Sequence, residues 1–499
     1  MWHLAELLAG AGIAAPIHGN PEVTGVEYDS RACGPGSLFV AIPGFHVDGG
    51  RFAADAVRRG AAAVVAEREP HPRVSDPLVL VADARQALSA LAATYYGHPS
   101  RRLTVAGVTG TDGKTTTASL LWAAWSGAGL DAGSMTTVDW RAGAAVMANP
   151  GRQTTLEAVD LQRRLDELSG LGVSHVAVET SSHALELHRV DDVDYRAAVY
   201  TRVTSEHLDV HGTREGYLSA KARLLEMAAS RADGVAVLNR DDAFAYPRLA
   251  RIQVARRLTY SVAGAADADI RAVDVESHPE GVRVRAHTPW GDAAIELRLP
   301  GRFNAENALA ALAAACATGA DLPGAVAGMS TLPQVTGRME RVDLGQPFAV
   351  VIDYAHTADA LATVLSELRP LTAGRLWVVF GSAGQRDVEK RPAMGRVAAQ
   401  LADVAVITDE DPRGEDRLRI LEDIAAGATA AGGRRGETVV VVPDRRDAIE
   451  FAVAHARPGD TVLCAGKGHE RTLITGTREL PWNERAVAEA AVRERAGSA

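Results

Sequence analysis

The chain has 499 residues with a formal net charge of −10, and 47% of its residues are hydrophobic and 23% charged. At about 100–200 residues per domain, this is the composition of a globular protein with roughly two to four domains. The acidic balance excludes a general binder of nucleic acid or acidic membranes. No apolar run approaches the roughly 18 residues of a membrane span, and the first residues lack a basic leader. We therefore expect a cytoplasmic protein without a membrane span.

Residues 1–98 form the first of three sections and combine short strand-like runs with helical periodicity. Apolar runs at 37–42 and 61–65 predict strands, and the pattern from about Phe52 to Arg59 predicts a helix between them. The segment 95–99, Tyr-Tyr-Gly-His-Pro, is typical of a boundary between domains.

The second section, residues 99–337, opens with the most specific pattern in the chain. An apolar run at 103–108 leads into Thr109-Gly110-Thr111-Asp112-Gly113-Lys114-Thr115-Thr116, after which helical periodicity begins. A strand, a glycine loop and a helix start direct backbone N–H groups and the positive end of the helix dipole at an anion. Lys114 supplies a charge for the β- and γ-phosphates, and Thr115 supplies a hydroxyl for Mg²⁺. The loop is a variant, because the strict nucleotide-binding pattern has glycine where Val108 stands.

After this loop, strand-like and helical segments alternate, which predicts a parallel α/β sheet. Glu179 ends the apolar run 173–178, where an acid either holds Mg²⁺ beside the phosphate loop or faces water. His207, Asp209 and His211 follow the next strand-like run. These three side chains form either a metal or phosphate site or an ordinary polar turn.

Three further features complete the second section. Lys221 lies in a helical pattern at 217–225, and residue chemistry alone favours a solvated side chain there. Period-two alternation from 282 to 299 across a Pro-Trp-Gly-Asp turn predicts an antiparallel hairpin. Asn304 and Asn307 precede an alanine-rich helix, where their amides either read a base or ribose or cap the helix.

The third section, residues 338–499, begins a second series of strand–helix units. Its strands are predicted at 349–352, 376–380, 404–407, 438–442 and 461–464. Ligands in open sheets of this kind bind at the carboxyl ends of the strands, so the loops 381–387, 409–413 and 466–470 form one candidate site. Arg338 lies at the join with the second section and Asp353 follows a strand, so both can meet a nucleotide at a domain interface.

Eight segments of the chain occur in the order of one known family. They are TGTDGKTT, VETSSHAL, EHLDVHG, SAKARL, GRFNAEN, GRMERV, DYAHTADAL and GKGHE. By these segments, nearly the whole chain resembles the Mur ligase family, and in particular its branch that adds a diamino acid as the third residue of the peptidoglycan precursor. The resemblance implies three α/β domains: a UDP-sugar domain at 1–98, a central P-loop ATPase with a small antiparallel subdomain at 99–337, and a Rossmann-like amino-acid domain at 338–499.

The resemblance also implies an activity and a set of partners. The activity is ATP- and Mg²⁺-dependent ligation of a diamino acid to UDP-MurNAc-L-Ala-D-Glu through an acyl phosphate. The partners are these small molecules and no nucleic acid, and we expect a monomer.

Site residues are carried over from the family position by position. The implied catalytic and Mg²⁺-binding groups are Lys114, Thr115, Glu179, His207 and Lys221, the last as a carbamate that turns a cation into an anionic oxygen ligand. The implied ATP contacts are Gly110, Thr111, Asp112, Gly113, Lys114, Thr115, Thr116, Asn304, Asn307, Arg338 and Asp353. The implied contacts to the UDP-sugar-peptide are Ser30, Thr154, Thr155, Ser181 and Arg189. The implied contacts to the amino acid are Arg386, Glu410, Asp411, Arg413, Gly466 and Glu470.

The chain departs from the family pattern at the loop that selects the amino acid. Enzymes of this type that use meso-diaminopimelate usually carry Asp-Asn-Pro-Arg, whereas this chain has Glu-Asp-Pro-Arg at 410–413. Arg413 can pair with the far carboxylate of meso-diaminopimelate and favours that substrate. The anion at Asp411 favours the ammonium of lysine or ornithine, which remain the alternatives. Asp112 and Arg202 also replace usual asparagines, and the sequence names no cation that compensates Asp112.

Two other functions are compatible with parts of the sequence. The first is another amide ligase of the superfamily, such as folylpolyglutamate synthetase or a different Mur ligase. The segments 29–31 and 410–413 are evidence against it. The second is a nucleotide-binding paralogue without ligase activity. Against a protein that only binds nucleotide stands the joint presence of four residues, namely Lys114, Glu179, His207 and Lys221.

Overall fold

The computed structural model describes residues 2–44, 47–74, 77–149, 151, 153–204 and 206–497. The fold is α/β, with parallel sheets covered by helices. The chain divides into two compact units, one of Met1–Val273, Ala286–Ala293 and Glu306–Met329, the other of Asp274–Arg285, Ala294–Ala305 and Ser330–Ala499. None of the helices within the described ranges has the length and hydropathy that crossing a membrane requires.

The helices and strands follow the chain in three series. The first is β1 Trp2–His3, α1 Leu4–Gly10, β2 Glu22–Val23, β3 Gly25–Glu27, β4 Ser37–Ala41, α2 Ala53–Arg58, β5 Ala63–Ala66, β6 Leu78–Leu80 and α3 Ala84–Tyr95. The second is β7 Thr104–Thr109, α4 Lys114–Gly127, β8 Ala132–Met135, β9 Asp139–Ala142, β10 Ala145–Ala148, α5 Ala158–Gly170, β11 His175–Glu179, α6 Ser182–Glu186, β12 Tyr195–Tyr200, α7 Leu208–His211, α8 Arg214–Ala229, β13 Val235–Asn239, α9 Tyr246–Leu249, β14 Arg256–Ser261, β15 Ile270–His278, β16 Gly281–Thr288, β17 Gly291–Leu297, α10 Phe303–Ala317 and α11 Leu322–Thr331. The third is β18 Glu340–Val342, β19 Ala349–Asp353, α12 Ala358–Leu368, β20 Leu376–Phe380, α13 Lys390–Leu401, β21 Val404–Ile407, α14 Arg417–Ala430, β22 Val439–Val441, α15 Arg445–His455, β23 Thr461–Ala465, β24 Thr472–Thr475, β25 Arg478–Pro481 and α16 Glu484–Gly497. Short 3₁₀ turns lie at Ser30–Ala32, Gly49–Phe52, Pro99–Arg102 and Arg369–Leu371.

The first series contains a four-stranded parallel sheet in the order β3-β4-β5-β6. Strands β4 and β5 are buried along their whole length. Alternate side chains of β4 enter two separate apolar clusters, with Leu38 and Val40 beside α1 and α3 and with Phe39 and Ala41 beside α2. Helices on both faces explain why these strands are continuous apolar runs.

The second series contains a larger sheet whose parallel centre has the order β8-β11-β7-β12-β13-β14. In its register, Glu179 of β11 pairs with Val108 of β7, and Tyr200 of β12 pairs with Thr109. The carboxyl ends of β7, β11 and β12 therefore meet where the phosphate loop begins. Antiparallel strands β9 and β10 extend one edge.

Strands β15, β16 and β17 follow β14 in the same sheet order, and the division between the two units falls within them. Exposed and buried residues alternate along much of β16 and β17, which only two residues separate. The antiparallel hairpin predicted for 282–299 is thereby confirmed.

The third series builds a six-stranded sheet in the order β18-β19-β23-β20-β21-β22. All neighbours are parallel except β18, which is an antiparallel edge strand. Helices α12, α13 and α14 contribute to the apolar cluster on one face, and α15 and α16 to the cluster on the other. Strands β23, β20 and β21 are direct neighbours, so the loops at their carboxyl ends share one edge of the sheet.

The predicted strands at 376–380 and 404–407 have the observed bounds, and that at 438–442 shortens to Val439–Val441. Asp353 is the last residue of β19 rather than the first residue after it. The domain boundaries at 98 and 337 stay a prediction.

Candidate active site

The phosphate loop has a backbone that only glycine accommodates at two positions. Gly110 has φ of +152° and Gly113 has φ of +85°. A Cβ atom at Gly110 would lie 1.8 Å from Thr201 Oγ1, and one at Gly113 would lie 2.3 Å from Asn307 Oδ1. Helix α4 starts directly after Gly113, so its first backbone N–H groups face the loop as a phosphate site requires.

Two lysines converge on the same carbonyl group of this loop. Lys114 Nζ donates to the carbonyl oxygens of Thr111 at 2.7 Å and Gly110 at 3.2 Å. Lys221 Nζ, from α8, donates to the Gly110 carbonyl at 2.8 Å and lies over the ring of Tyr217. Lys221 is 1% exposed, so the interpretation as a solvated helix lysine is wrong. Burial, and then the Lys114 cation, lowers the pKa of Lys221 well below its ordinary value.

Glu179 and Thr115 contact each other beside the phosphate loop. Thr115 Oγ1 donates to Glu179 Oε2 at 3.0 Å, and Thr137 donates to the same oxygen from its amide at 2.8 Å and its hydroxyl at 2.9 Å. Glu179 is 1% exposed, so the alternative of a carboxylate facing water is wrong. A hydroxyl and a carboxylate side by side are ligands that Mg²⁺ prefers, so these residues fit that ion.

His207 lies in a group of aromatic rings rather than alone. The ring centroids of His207 and His183 lie 4.5 Å apart. The ring centroids of His183 and His211 lie 5.7 Å apart. His207 has φ of +56°, and its side chain is 42% exposed. The segment is not wholly a loop, because His211 ends the single-turn helix α7. The side chain of Asp209 lies outside the described part of the structure.

The loop residue Asp112 pairs with Arg202, which lies two residues beyond the end of β12. Asp112 and Arg202 form an isolated antiparallel bridge, and the amide of Thr111 donates to the Arg202 carbonyl at 2.7 Å. The two side chains that depart from the family pattern thus occupy facing positions. Thr116, the last residue of the loop motif, is buried in the first turn of α4.

The two asparagines of the GRFNAEN segment lie in different units. Asn307, in the first unit, accepts from Thr117 Oγ1 at 3.2 Å and so contacts helix α4. Asn304, in the second unit, donates to the carbonyl of Pro300 at 2.7 Å.

Three of the predicted UDP-substrate residues form one cluster at the end of β11. Thr155 Oγ1 donates to the Glu179 carbonyl at 2.8 Å and accepts from the Ser181 amide at 3.0 Å. Arg189 donates to the Thr155 carbonyl at 3.4 Å and pairs with Glu157 at 2.6 Å. Thr154 directly precedes this cluster.

Ser30 lies in the first series, where it is buried and its hydroxyl donates to Asp55 Oδ2 at 3.2 Å.

In the second unit, Asp353 contacts the backbone of the residue that follows Arg338. Asp353 accepts from the amides of Met339 and Ala355, both at 2.8 Å. Arg338 lies over the Tyr354 ring at 4.8 Å.

The three loops at the carboxyl ends of β20, β21 and β23 contact one another, as predicted. The amide of Gly384 donates to the Asp411 carbonyl at 2.8 Å. The position of a Cβ atom at Gly466 lies 3.6 Å from Glu410 Oε2. That oxygen is buried without a hydrogen-bond partner among the described residues, and burial raises the pKa of Glu410.

Asp411 does not present a free charge to a ligand. Its Oδ1 accepts from Lys467 Nζ and from the Ile474 amide, each at 2.9 Å. Lys467 Nζ also lies 2.5 Å from Glu470 Oε2. The expectation that Asp411 favours an ammonium ligand is therefore wrong, because the buried Lys467 already neutralises this carboxylate.

Arg413 is held by its backbone, with φ of +53° and with its amide donating to the Ile474 carbonyl at 3.0 Å. Its side chain is half-buried, and its Nε has no partner among the described residues. Arg386 is exposed on the loop after β20.

Comparison with known proteins places this geometry in a family. The description "Mur ligase middle domain" matches residues 108–315, "Mur ligase, glutamate ligase domain" matches 337–468, and "Mur ligase family, catalytic domain" matches 22–96. The UDP-N-acetylmuramyl-tripeptide synthetase of Roseiflexus sp. (strain RS-1) is 49% identical over 95% of each chain. The chain belongs to the Mur ligase family. It is therefore a ligase.

Other relatives of this Mur ligase carry a more specific name. The UDP-N-acetylmuramoyl-L-alanyl-D-glutamate--2,6-diaminopimelate ligase of Geobacillus kaustophilus (strain HTA426) is 43% identical over 96% of each chain. A solved structure of a protein with that name is 32% identical and has a TM-score of 0.65 over 95% of each chain.

The structure adds residues that sequence reasoning missed in this ligase. Thr137 donates twice to Glu179, Tyr217 packs against Lys221, and Lys467 joins two carboxylates. Lys467 stands inside a quoted motif, but neither its burial nor its partners could be deduced from spacing. No sequence signal pointed to Thr137.

Proposed function

We propose that this Mur ligase joins a diamino acid to UDP-MurNAc-L-Ala-D-Glu at the expense of ATP, in the synthesis of the peptidoglycan precursor in the cytoplasm. The observation that carries the proposal is the convergence of Lys114, Lys221, Thr115 and Glu179 around one glycine loop. The names of the similar proteins support the substrates.

The chemistry follows from charge. A peptide carboxylate must attack the γ-phosphate of ATP, although both groups are anionic. Lys114 reduces their repulsion and stabilises charge on the phosphoryl oxygens. The product is an acyl phosphate, which the amine of the diamino acid attacks to form an amide and release phosphate. Bound Mg²⁺ would add positive charge beside the phosphates, and Thr115, Glu179 and His207 are the residues proposed to hold it.

We infer that Lys221 acts as a carbamate. Its amine is buried, and burial and the Lys114 cation lower its pKa. A neutral amine can add to CO₂ with loss of a proton. The resulting carboxylate-like oxygens would serve as a further Mg²⁺ ligand.

The remaining contacts are assigned on the family pattern. Thr155, Ser181 and Arg189 already share one cluster, and we assign Ser30 and Thr154 with them to the UDP-sugar-peptide. Asn304, Asn307, Arg338 and Asp353 are assigned to ATP. The domains proposed are 1–98, 99–337 and 338–499, and the protein is proposed to act as a monomer.

For the amino acid we propose meso-diaminopimelate. Arg413 offers a guanidinium that can bind the far carboxylate in a bidentate manner. Because Lys467 neutralises Asp411, this carboxylate does not favour the ammonium of lysine or ornithine. Arg386, Glu410, Gly466 and Glu470 complete the proposed amino-acid site.

The assay offers meso-diaminopimelate, L-lysine and L-ornithine separately with ATP, Mg²⁺ and the UDP-dipeptide, and detects the UDP-tripeptide by mass spectrometry. We expect the diaminopimelate product to dominate. Incorporation of lysine or ornithine without diaminopimelate would contradict the choice of amino acid, and absence of every product would contradict the ligase assignment.

A further inference from the structure

Lys467 is the buried cation of the candidate amino-acid site. Its side chain has no exposed surface, and its ammonium lies 2.9 Å from Asp411 Oδ1 and 2.5 Å from Glu470 Oε2. Removing one partner from a buried ion pair leaves an uncompensated charge in a poorly solvated place, which is strongly unfavourable. One ammonium thus stabilises two carboxylates that belong to different loops.

The carboxylate of Asp411 also fixes the backbone that carries Arg413. Asp411 Oδ1 accepts from the Ile474 amide at 2.9 Å, the Arg413 amide donates to the Ile474 carbonyl at 3.0 Å, and the Gly476 amide donates to the Arg413 carbonyl at 2.6 Å. Lys467 therefore acts on Arg413 through Asp411 and β24.

Lysine is a rare choice of cation in this chain. Among 53 lysines and arginines, the lysines are Lys114, Lys221, Lys390 and Lys467. Lys114 and Lys221 belong to the phosphate loop cluster. A compact ammonium fits between two carboxylates in a closed site, whereas a planar guanidinium needs more room.

The charge balance of the site depends on Lys467. Three carboxylates, those of Glu410, Asp411 and Glu470, lie on these loops. Lys467 contacts two of them directly, and Lys390 and Arg445 are further cations near Glu410. Without Lys467, Asp411 and Glu470 would lose the cation that contacts both of them. Such a site repels a second carboxylate on a substrate and attracts an ammonium.

We propose that Lys467 is a positioning residue that sets the amino-acid specificity of the site. By neutralising Asp411 and holding Glu470, it allows the site to accept a substrate with a carboxylate at its far end. This inference rests on the proposed amino-acid site, but it concerns a residue that contacts other side chains and not the reacting atoms.

The test is a double-mutant cycle on selectivity. KM is measured for the amino acid that is ligated and Ki for the one that is not, using meso-diaminopimelate and L-lysine. Lys467→Met should lower the preference for diaminopimelate over lysine by about 30-fold, in line with the coupling of close buried charges. Asp411→Asn should shift the preference in the opposite direction, and the double variant should return within about threefold of the wild type.

Controls separate this role from a merely structural one. Arg434→Met removes a cation whose ion pair with Glu437 is exposed, in the segment before β22, and should leave the preference unchanged. The KM for ATP should stay within about twofold in every variant, because a selectivity effect is local. An unchanged preference in Lys467→Met, or no restoration in the double variant, would overturn the proposal.

If Lys467→Met fails to fold, Asp411→Asn alone carries the test, and an unchanged preference in that variant overturns the proposal. The direction of the shift does not depend on which amino acid the wild type prefers. Failure of the proposed function is distinct, since the wild-type protein would then ligate none of the amino acids.

Discussion

The Gly110 carbonyl accepts hydrogen bonds from both Lys114 and Lys221, which brings two amines to one point of the phosphate loop. Two neighbouring ammonium groups repel each other, and the buried one loses its proton more readily. Lys221 is the buried one, at 1% exposure. At the residue scale, burial and then the Lys114 cation lower the pKa of Lys221, which favours its neutral amine.

The first prediction concerns Lys221→Ala. We expect ligation to fall by at least about 100-fold, because the variant lacks the carbamate oxygens that would help hold Mg²⁺. Added short carboxylates such as acetate or formate should restore part of the activity by filling the vacated space. Initial rates with and without these anions provide the measurement, and the melting temperature serves as the folding control. Wild-type activity in the variant would exclude the carbamate role.

Residue-level prediction from sequence succeeded where spacing alone defines the geometry and failed where burial decides. The strand, glycine loop and helix start around 109–116 were predicted correctly because they are local features, and the role of the loop in binding phosphate stays a prediction. The burial of Lys221 depends on packing of α8 against β12, and the neutralisation of Asp411 depends on Lys467, 56 residues away in sequence. Neither is encoded in a local pattern.

At the element scale, one buried ion pair connects the ends of several helices and strands of the six-stranded sheet. Arg445 at the start of α15 pairs with Glu484 at the start of α16 at 2.5 Å, and neither side chain has exposed surface. The same guanidinium donates to the carbonyls of Asp409 at 3.0 Å and Ala465 at 2.8 Å. It thus stabilises the ends of β21 and β23, from which the amino-acid loops start.

Arg445→Met should destabilise the protein by about 3–5 kcal/mol, because the buried Glu484 would lose its cation and keep, among the described residues, only the hydrogen bond from the Trp482 indole. Chemical denaturation followed by tryptophan fluorescence measures the free energy of unfolding. The double variant Arg445→Met/Glu484→Leu should recover much of this loss, since it leaves no unpaired charge. A single variant with wild-type stability would contradict the role of the pair.

The strands of this sheet were predictable because they are continuous apolar runs, as expected for strands buried on both faces. The pairing of Arg445 with Glu484 was not, because it requires two helices to lie side by side.

At the scale of the whole molecule, an acidic chain is proposed to act on anionic substrates. Its formal net charge is −10, so the cations that meet phosphates and carboxylates must be local. Lys114 and Lys221 at one glycine loop, Arg189 beside Thr155, and Arg413 with Lys467 are such local groups. The order of the motifs along the chain indicated the family, whereas the charge balance within each site required the structure.

The most direct test of the central claim follows oxygen from the peptide to phosphate. The UDP-dipeptide is labelled with ¹⁸O in its peptide carboxylates and incubated with the wild-type protein, ATP, Mg²⁺ and meso-diaminopimelate. Activation as an acyl phosphate predicts that one ¹⁸O atom appears in the released phosphate for each amide formed, and that phosphate release requires both the UDP-dipeptide and the amino acid. Phosphate without label, or release that is independent of the amino acid, would contradict the account.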